Sequence, residues 1–220
     1  MPDRHTEPHF DTAALITIDV QRDFLDDGPF PIAGTIDALA PITTLLSAFR
    51  TAHRPIVHIV RLYDADGSNA DNCRRTLIES GAQLARPGSA GSELPADLLP
   101  RTGLSLDHQL LTDGGIQQLA DREAVVYKPR WGAFYNTPLE AHLREQNVST
   151  LVFCGCNFPN CPRTSIYEAS ERDFRVVVAT DAISGLYARG EQELSAIGVT
   201  LFTAGQVAHS LTEATARTPA

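Results

Sequence analysis

A chain of 220 residues, 43% of them hydrophobic, has material for one substantial core, and its formal net charge of −9 is the wrong sign for gripping a phosphate backbone or an anionic membrane. No apolar run approaches the length of a membrane span, and the polar opening MPDRHTEPHF lacks the apolar stretch of a secretory signal, so a cytoplasmic protein with a small-molecule substrate is expected. The four cysteines, Cys73, Cys154, Cys156 and Cys161, are too few and too clustered for a disulfide framework and are expected to be reduced.

Residues 1–11, polar and proline-containing, are read as a flexible N-terminal arm, and 12–220 as a single domain. Ala14 to Val20, ALITIDV, is a nearly continuous apolar run of the kind found in a strand covered on both faces, with Asp19 near its end. The carboxyl edge of an open parallel sheet is where ligands sit, so Asp19 is placed beside a cleft. The following QRDFLDDGPFPIAGT is too long and too rich in glycine and proline for a plain connection; Gln21 and Phe24 are its candidate pocket residues.

Apolar positions at helical spacing from Thr35 to His53 predict a helix, and PIVHIVRL, residues 55–62, predicts a second buried strand. From Tyr63 to Leu106 the pattern dissolves into an excursion over the sheet edge, with a short helical piece around Cys73 to Ser80. His108 to Thr112 reads as a short strand and Gly114-Gly115 as a turn. AVVYK, residues 124–128, is a further strand ending in the charge of Lys128, followed by the aromatic loop PRWGAFYNT and a helix opening at Thr137-Pro138.

The most informative stretch is TLVFCGCNFPNCPRTSIYEASERDFRVVVATD, residues 150–181. A strand leaves the sheet at Gly155, and Pro162 in a first helical turn puts Cys161 at the tip of the next helix. Unsatisfied backbone N–H groups there favour an anion, so the thiol is expected to ionise easily and act as a nucleophile. Cys73, Cys154 and Cys156 read as small buried hydrophobes. Another strand to Thr180, a helix near 190–197, a strand near 200–203 and a terminal helix near 206–213 complete the alternation. The fold class is therefore α/β: a Rossmann-like, three-layer α/β/α arrangement with a mostly parallel, about six-stranded sheet.

Asp19, Lys128 and Cys161 all follow strands, and if those strands are neighbours the three side chains meet at one edge. An ammonium favours the thiolate, and a carboxylate in reach can take the thiol proton and pass it to a leaving group. Taken singly, Asp19 reads equally well as a loop cap and Lys128 as a solvated strand end. Trp131, Phe134 and Tyr135 read as core or subunit interface as readily as pocket lining.

The segments IDVQRDF, YKPRWGAF and GCNFPNC, followed by RVVVATDA, resemble together the cysteine hydrolases of the isochorismatase-like superfamily, over Leu15 to about Thr203. The resemblance implies a catalytic triad of Asp19, Lys128 and Cys161, a non-proline cis peptide between Cys156 and Asn157, and an oxyanion hole from the backbone amides of Asn157 and Cys161. It further implies hydrolysis of a carbon–nitrogen bond in a small amide, carbamoyl or ureido substrate through a thioester. Gln21, Phe24, Trp131, Tyr135 and Phe158 are this reading's candidate substrate-binding residues. A homo-oligomer, dimer or tetramer, is implied as well. An ester, thioester or enol ether substrate, or an idle binding protein of the same fold, stays open beside it. Phe158, Pro162 and Gly132 depart from common family residues. HIVRLYDAD after the second strand lacks the Asp-x-His spacing of the family's metal-binding members, so no metal and no cofactor are expected.

Overall fold

The computed structural model describes residues 3–217, so the first two residues of the expected arm and the last three of the expected domain lie outside the described residues. Seven strands form one sheet in the order β3-β4-β2-β1-β5-β6-β7. They are β1 (Ala13–Ile18), β2 (Ile56–Val60), β3 (Ile116–Ala120), β4 (Glu123–Tyr127), β5 (Thr150–Gly155), β6 (Arg175–Ile183) and β7 (Thr200–Phe202). The helices are α1 (Thr35–Thr51), α2 (Asn72–Glu79), α3 (His108–Thr112), α4 (Leu139–Glu145), α5 (Cys161–Ser170), α6 (Ala188–Ala196) and α7 (Ala204–Arg217). All neighbouring strands run parallel except β3, which pairs antiparallel with β4 at the edge.

The strand period of two explains how one sequence serves two cores. Along β1, Ala14, Ile16 and Ile18 face a cluster that includes Leu139, Leu143, Ile166, Ala169 and Leu194 of α4, α5 and α6. Ala13 and Leu15 face the other side, against Ala38, Ile42, Leu45, Leu46 and Phe49 of α1 and Val207 and Leu211 of α7. The central strands β1, β2 and β5 are buried along their whole length, which is why they read as unbroken apolar runs and not as alternating ones. Each fully buried Leu, Ile or Phe contributes about 1.5–3 kcal/mol of transfer free energy, so these two layers carry the fold.

Two departures from the sequence reading have physical causes. His108–Thr112 is helix α3, capped by the Asp107 carboxylate accepting from the Leu110 N–H, and the strand lies after the glycine turn as β3. A five-residue piece with two adjacent leucines, HQLLT, does not distinguish helix from strand by periodicity, and a polar cap decided it. The segment before Thr12, expected as a loose arm, is docked: the Phe10 and Phe202 rings stack with centroids 6.3 Å apart, and the His9 N–H donates to Thr150 Oγ1 at 2.9 Å.

The order of connections reverses direction at the centre of the sheet. From β1 the chain moves outward to β2, and β5 then joins β1 on its other flank. Loops leaving β1 and β5 therefore diverge and open a crevice between their carboxyl ends, the usual ligand position in such sheets.

Candidate active site

Asp19 closes β1 at that crevice with φ at 52°, a left-handed conformation that aspartate tolerates better than most residues, and its N–H donates to the Ile59 carbonyl at 2.9 Å. Lys128 follows β4, two strands away. Two strand spacings amount to roughly 10 Å, a gap only a long side chain bridges. Its stem crosses beneath the crevice, and Nζ reaches Asp19 Oδ2 at 2.8 Å. Lys128 is fully buried and Asp19 is 5% exposed, so the pair lies out of water. Burial alone would lower the Lys128 pKa; the charge of Asp19, with a smaller contribution from Cys161, outweighs it and holds the ammonium above its ordinary value.

Asp19 Oδ1 is buried and has no hydrogen-bond partner among the described residues. A carboxylate with one oxygen tied to an ammonium and the other open is placed to accept a proton from a neighbour.

Cys161 is the first residue of α5, with Pro162 behind it in the first turn. It is partly exposed, in contrast to buried Cys154 and Cys156. Gly155, at φ 114°, lets β5 approach β1 here, since a Cβ at that position would lie 2.2 Å from the Ile18 carbonyl oxygen. The peptide between Cys156 and Asn157 is cis, and Cys156 donates its thiol to the Asp19 carbonyl at 2.9 Å. Ser165 Oγ donates to the Cys161 carbonyl at 2.7 Å and accepts the Ala133 N–H at 3.0 Å, while Glu168 Oε2 accepts the Phe134 N–H at 2.9 Å. Helix α5 thus holds both the cysteine and the loop that follows Lys128.

Against the expectation of a readily ionised thiol, the fold sets an opposing influence. Burial and the negative charge of Asp19 push the Cys161 thiol up to about 12, against the opposing pull of Lys128. The ammonium of Lys128 pulls the other way, but burial and the carboxylate of Asp19 together outweigh it. At neutral pH the sulfur is held as a thiol close to the ammonium of Lys128.

These groups line a small cavity of about 40 Å³, walled by Asp19, Cys161, Asn157 and Asn160 on the sheet side and by Phe24 and Trp131 from the loops. Of the five expected pocket residues, Phe24 and Trp131 reach it. Gln21 does not: it is buried beneath, donating to the Arg61 and Ser92 carbonyls and accepting the Arg61 N–H, which uses its amide to tie three loops together. Phe158 packs into the core edge-on to Tyr187 at 5.4 Å. Tyr135 is 51% exposed and lies in an outer hollow that meets the cavity only at Trp131. A larger space of about 900 Å³ beside Phe10 and Phe202 shares no residue with the cavity.

The sequence reading passed over Arg61, Tyr63 and Arg74, which also line the cavity. Arg61 is buried, donates from Nη1 to the Lys128 carbonyl at 2.7 Å, and pairs through Nη2 with Asp71 Oδ2 at 2.9 Å. Its guanidinium carbon lies 4.5 Å from the centre of the Tyr63 ring. A charge directly after the β2 run was the available signal, the same one that marks Asp19 and Lys128; Arg74 arrives from α2 and left none. Among the described residues no group of three or more His, Cys, Asp or Glu side chains is arranged to hold a metal ion, and no helix is long and apolar enough to cross a membrane.

Fold and site together define an α/β protein that gathers a cysteine, a lysine and an aspartate at the carboxyl edge of a doubly wound sheet. The chain belongs to the isochorismatase family, whose Isochorismatase domain matches residues 13–205. Ureidoacrylate amidohydrolase RutB of Methylobacterium radiotolerans is 30% identical over 190 residues, covering 78% of this chain and 66% of that protein, so the chain spans just under two thirds of that relative's length. The isochorismatase family protein YecD of Escherichia coli O157:H7 is 31% identical over 191 residues, covering 84% and 86% of the two chains. An isochorismatase family protein from Desulfovibrio vulgaris superposes with a TM-score of 0.76 at 30% identity, covering 91% of this chain and 98% of that one.

Proposed function

We propose that this protein is a cysteine-dependent amidohydrolase that cleaves a carbon–nitrogen bond of a small amide, carbamoyl or ureido substrate through a thioester on Cys161. The observation that carries this reading is the asymmetry of Asp19, with Oδ2 held 2.8 Å from the Lys128 ammonium and Oδ1 open in the cavity that Cys161 lines. Similarity to an enzyme named for ureidoacrylate supports the same bond type.

In this reading the thiol does not ionise beforehand. As sulfur attacks the substrate carbonyl carbon, its proton passes to Asp19 Oδ1, and the negative charge moves onto the carbonyl oxygen. Among the described residues the backbone amides of Asn157 and Cys161 have no acceptor, and both border the cavity, so they are the donors assigned to that oxygen. One such donor is typically worth about a hundredfold in rate. Asp19 then gives its proton to the departing nitrogen, the carbon–nitrogen bond breaks, and a thioester remains. Water attacks the thioester, Asp19 takes the water proton, and the thiol is regenerated as the acid leaves. Lys128 keeps Asp19 oriented and stabilises its charge without giving up a proton.

The test is ammonia release from small ureas, carbamoyl amino acids, nicotinamide and cyclic amides by the wild type and by Cys161→Ala. Turnover of a member of this set that vanishes in Cys161→Ala is expected. Turnover surviving in that variant, or cleavage of ester analogues with none of the corresponding amides, overturns the reading.

A further inference from the structure

Arg74 comes to the cavity from α2, exposed, and its guanidinium has neither an ion pair nor a hydrogen bond among the described residues. The charges around it are already matched. Asp19 is spent on Lys128, and Asp71 on Arg61. The remaining wall residues are uncharged, so the wall carries one surplus positive charge in a protein whose formal net charge is −9. Arg61, 2% exposed, adds a second guanidinium whose Nε is buried with no acceptor, although its two terminal nitrogens are satisfied. A cation without a partner at the mouth, backed by a buried cation with one donor unused, is a place for an oxyanion.

Exposure along the wall decides which part of a substrate goes where. Cys161 is only partly exposed at the narrow cavity of about 40 Å³, and the reacting carbonyl has to reach it there. The remote end of any larger substrate extends to the mouth, where Arg74 and the 37% exposed Trp131 stand. Resting on the hydrolytic reading above, we propose that the substrate is an anion whose carboxylate, remote from the scissile carbonyl, is bound by Arg74 with Arg61 behind it. Neutral ureas and amides of the same size would lack this contact.

N-Iodoacetylglycine and N-iodoacetylglycinamide test this without knowledge of the substrate, because they differ only in carrying, remote from the reacting carbon, a terminal carboxylate or a neutral amide. In each case the sulfur–carbon bond forms, iodide leaves, and the thiol proton passes through Asp19 to solvent. The rate ratio of the two reagents at Cys161, followed by peptide mass spectrometry and divided by the ratio for N-acetylcysteine, reads the recognition of the anion. We expect this normalised ratio to exceed about tenfold in the wild type, to fall to about one in Arg74→Gln, and to be partly retained in Arg74→Lys. Labelling of Cys161 with a normalised ratio near one in the wild type overturns the carboxylate proposal and leaves the proposed function standing. A ratio unchanged by Arg74→Gln overturns the assignment to Arg74. Failure of both reagents at Cys161, with Cys73 labelled normally, overturns the proposed function and this inference together.

Discussion

Lys128 Nζ and Asp19 Oδ2 lie 2.8 Å apart with both side chains out of water, although their strands are not neighbours. A buried pair of this kind adds little net stability compared with two apolar residues, because desolvating each ion costs several kcal/mol, but removing one partner leaves the other charge stranded. The first prediction is therefore a coupled one. Asp19→Asn and Lys128→Met each lose about 3–5 kcal/mol in chemical denaturation and abolish turnover. The double variant regains most of the stability and none of the activity. Single variants as stable as the wild type would show that the pair is not a buried ion pair.

Cys161 serves chemistry and contributes little packing that a methyl group does not replace. Cys161→Ala is expected to melt within about 2 °C of the wild type, because a partly exposed position leaves almost no cavity behind. Differential scanning calorimetry checks this alongside the turnover assay, and a large drop in melting temperature would mean that the sulfur is structural.

The raised thiol pKa has a sign that can be measured. A thiol held protonated up to about 12 gives a thiolate fraction that keeps rising about tenfold per pH unit, so alkylation of Cys161 by iodoacetamide should climb from pH 7 to pH 10 without levelling off. A plateau beginning near pH 7 would restore the easily ionised thiol. For stability, the folded state keeps a proton that the unfolded chain gives up near its ordinary pKa of about 8.5, so this group weakens the fold as pH rises from about 9 towards 12.

Glu123 makes the opposite prediction at acid pH. Burial by itself would raise its pKa, but hydrogen bonds from Arg50 at 2.7 and 2.8 Å, together with the His58 ring 2.9 Å away, bring it down to about 2. A depressed carboxyl stabilises the fold fully above its unfolded pKa and loses that contribution as pH falls from about 4.5 to 2, an effect of roughly 3 kcal/mol. Urea denaturation at pH 6 and pH 3 should show a smaller pH difference for Glu123→Gln than for the wild type; equal differences would remove Glu123 from the acid sensitivity.

Gly155 couples fold to site. A methyl group there meets the Ile18 carbonyl and sits at a φ of 114°, so Gly155→Ala should cost on the order of 3 kcal/mol and depress turnover further by displacing the Cys156–Cys161 turn from Asp19. Thermal melting and the ammonia assay check both effects, and an active variant of unchanged stability would contradict the close approach.

The apolar runs at β1, β2 and β5 and the glycine and proline punctuation between them determined by themselves that this is an α/β chain with a largely parallel sheet, because a strand buried on both faces has to be apolar at every position. The same reasoning marked Asp19, Lys128 and Cys161, since an ionisable or reactive group at the end of such a run emerges at the ligand edge. Local pattern could not supply what depends on neighbours from distant segments. Gln21 was drawn into the frame by its hydrogen bonds to Arg61 and Ser92, and Phe158 into the core by Tyr187. Arg61 and Arg74 joined the cavity from β2 and α2. The thiol pKa was decided in the same way: a helix tip favours the anion, but burial, and after it a carboxylate brought from another strand, raise the pKa. Long-range electrostatics and packing are properties of which strands become neighbours, and that is settled only when the chain folds.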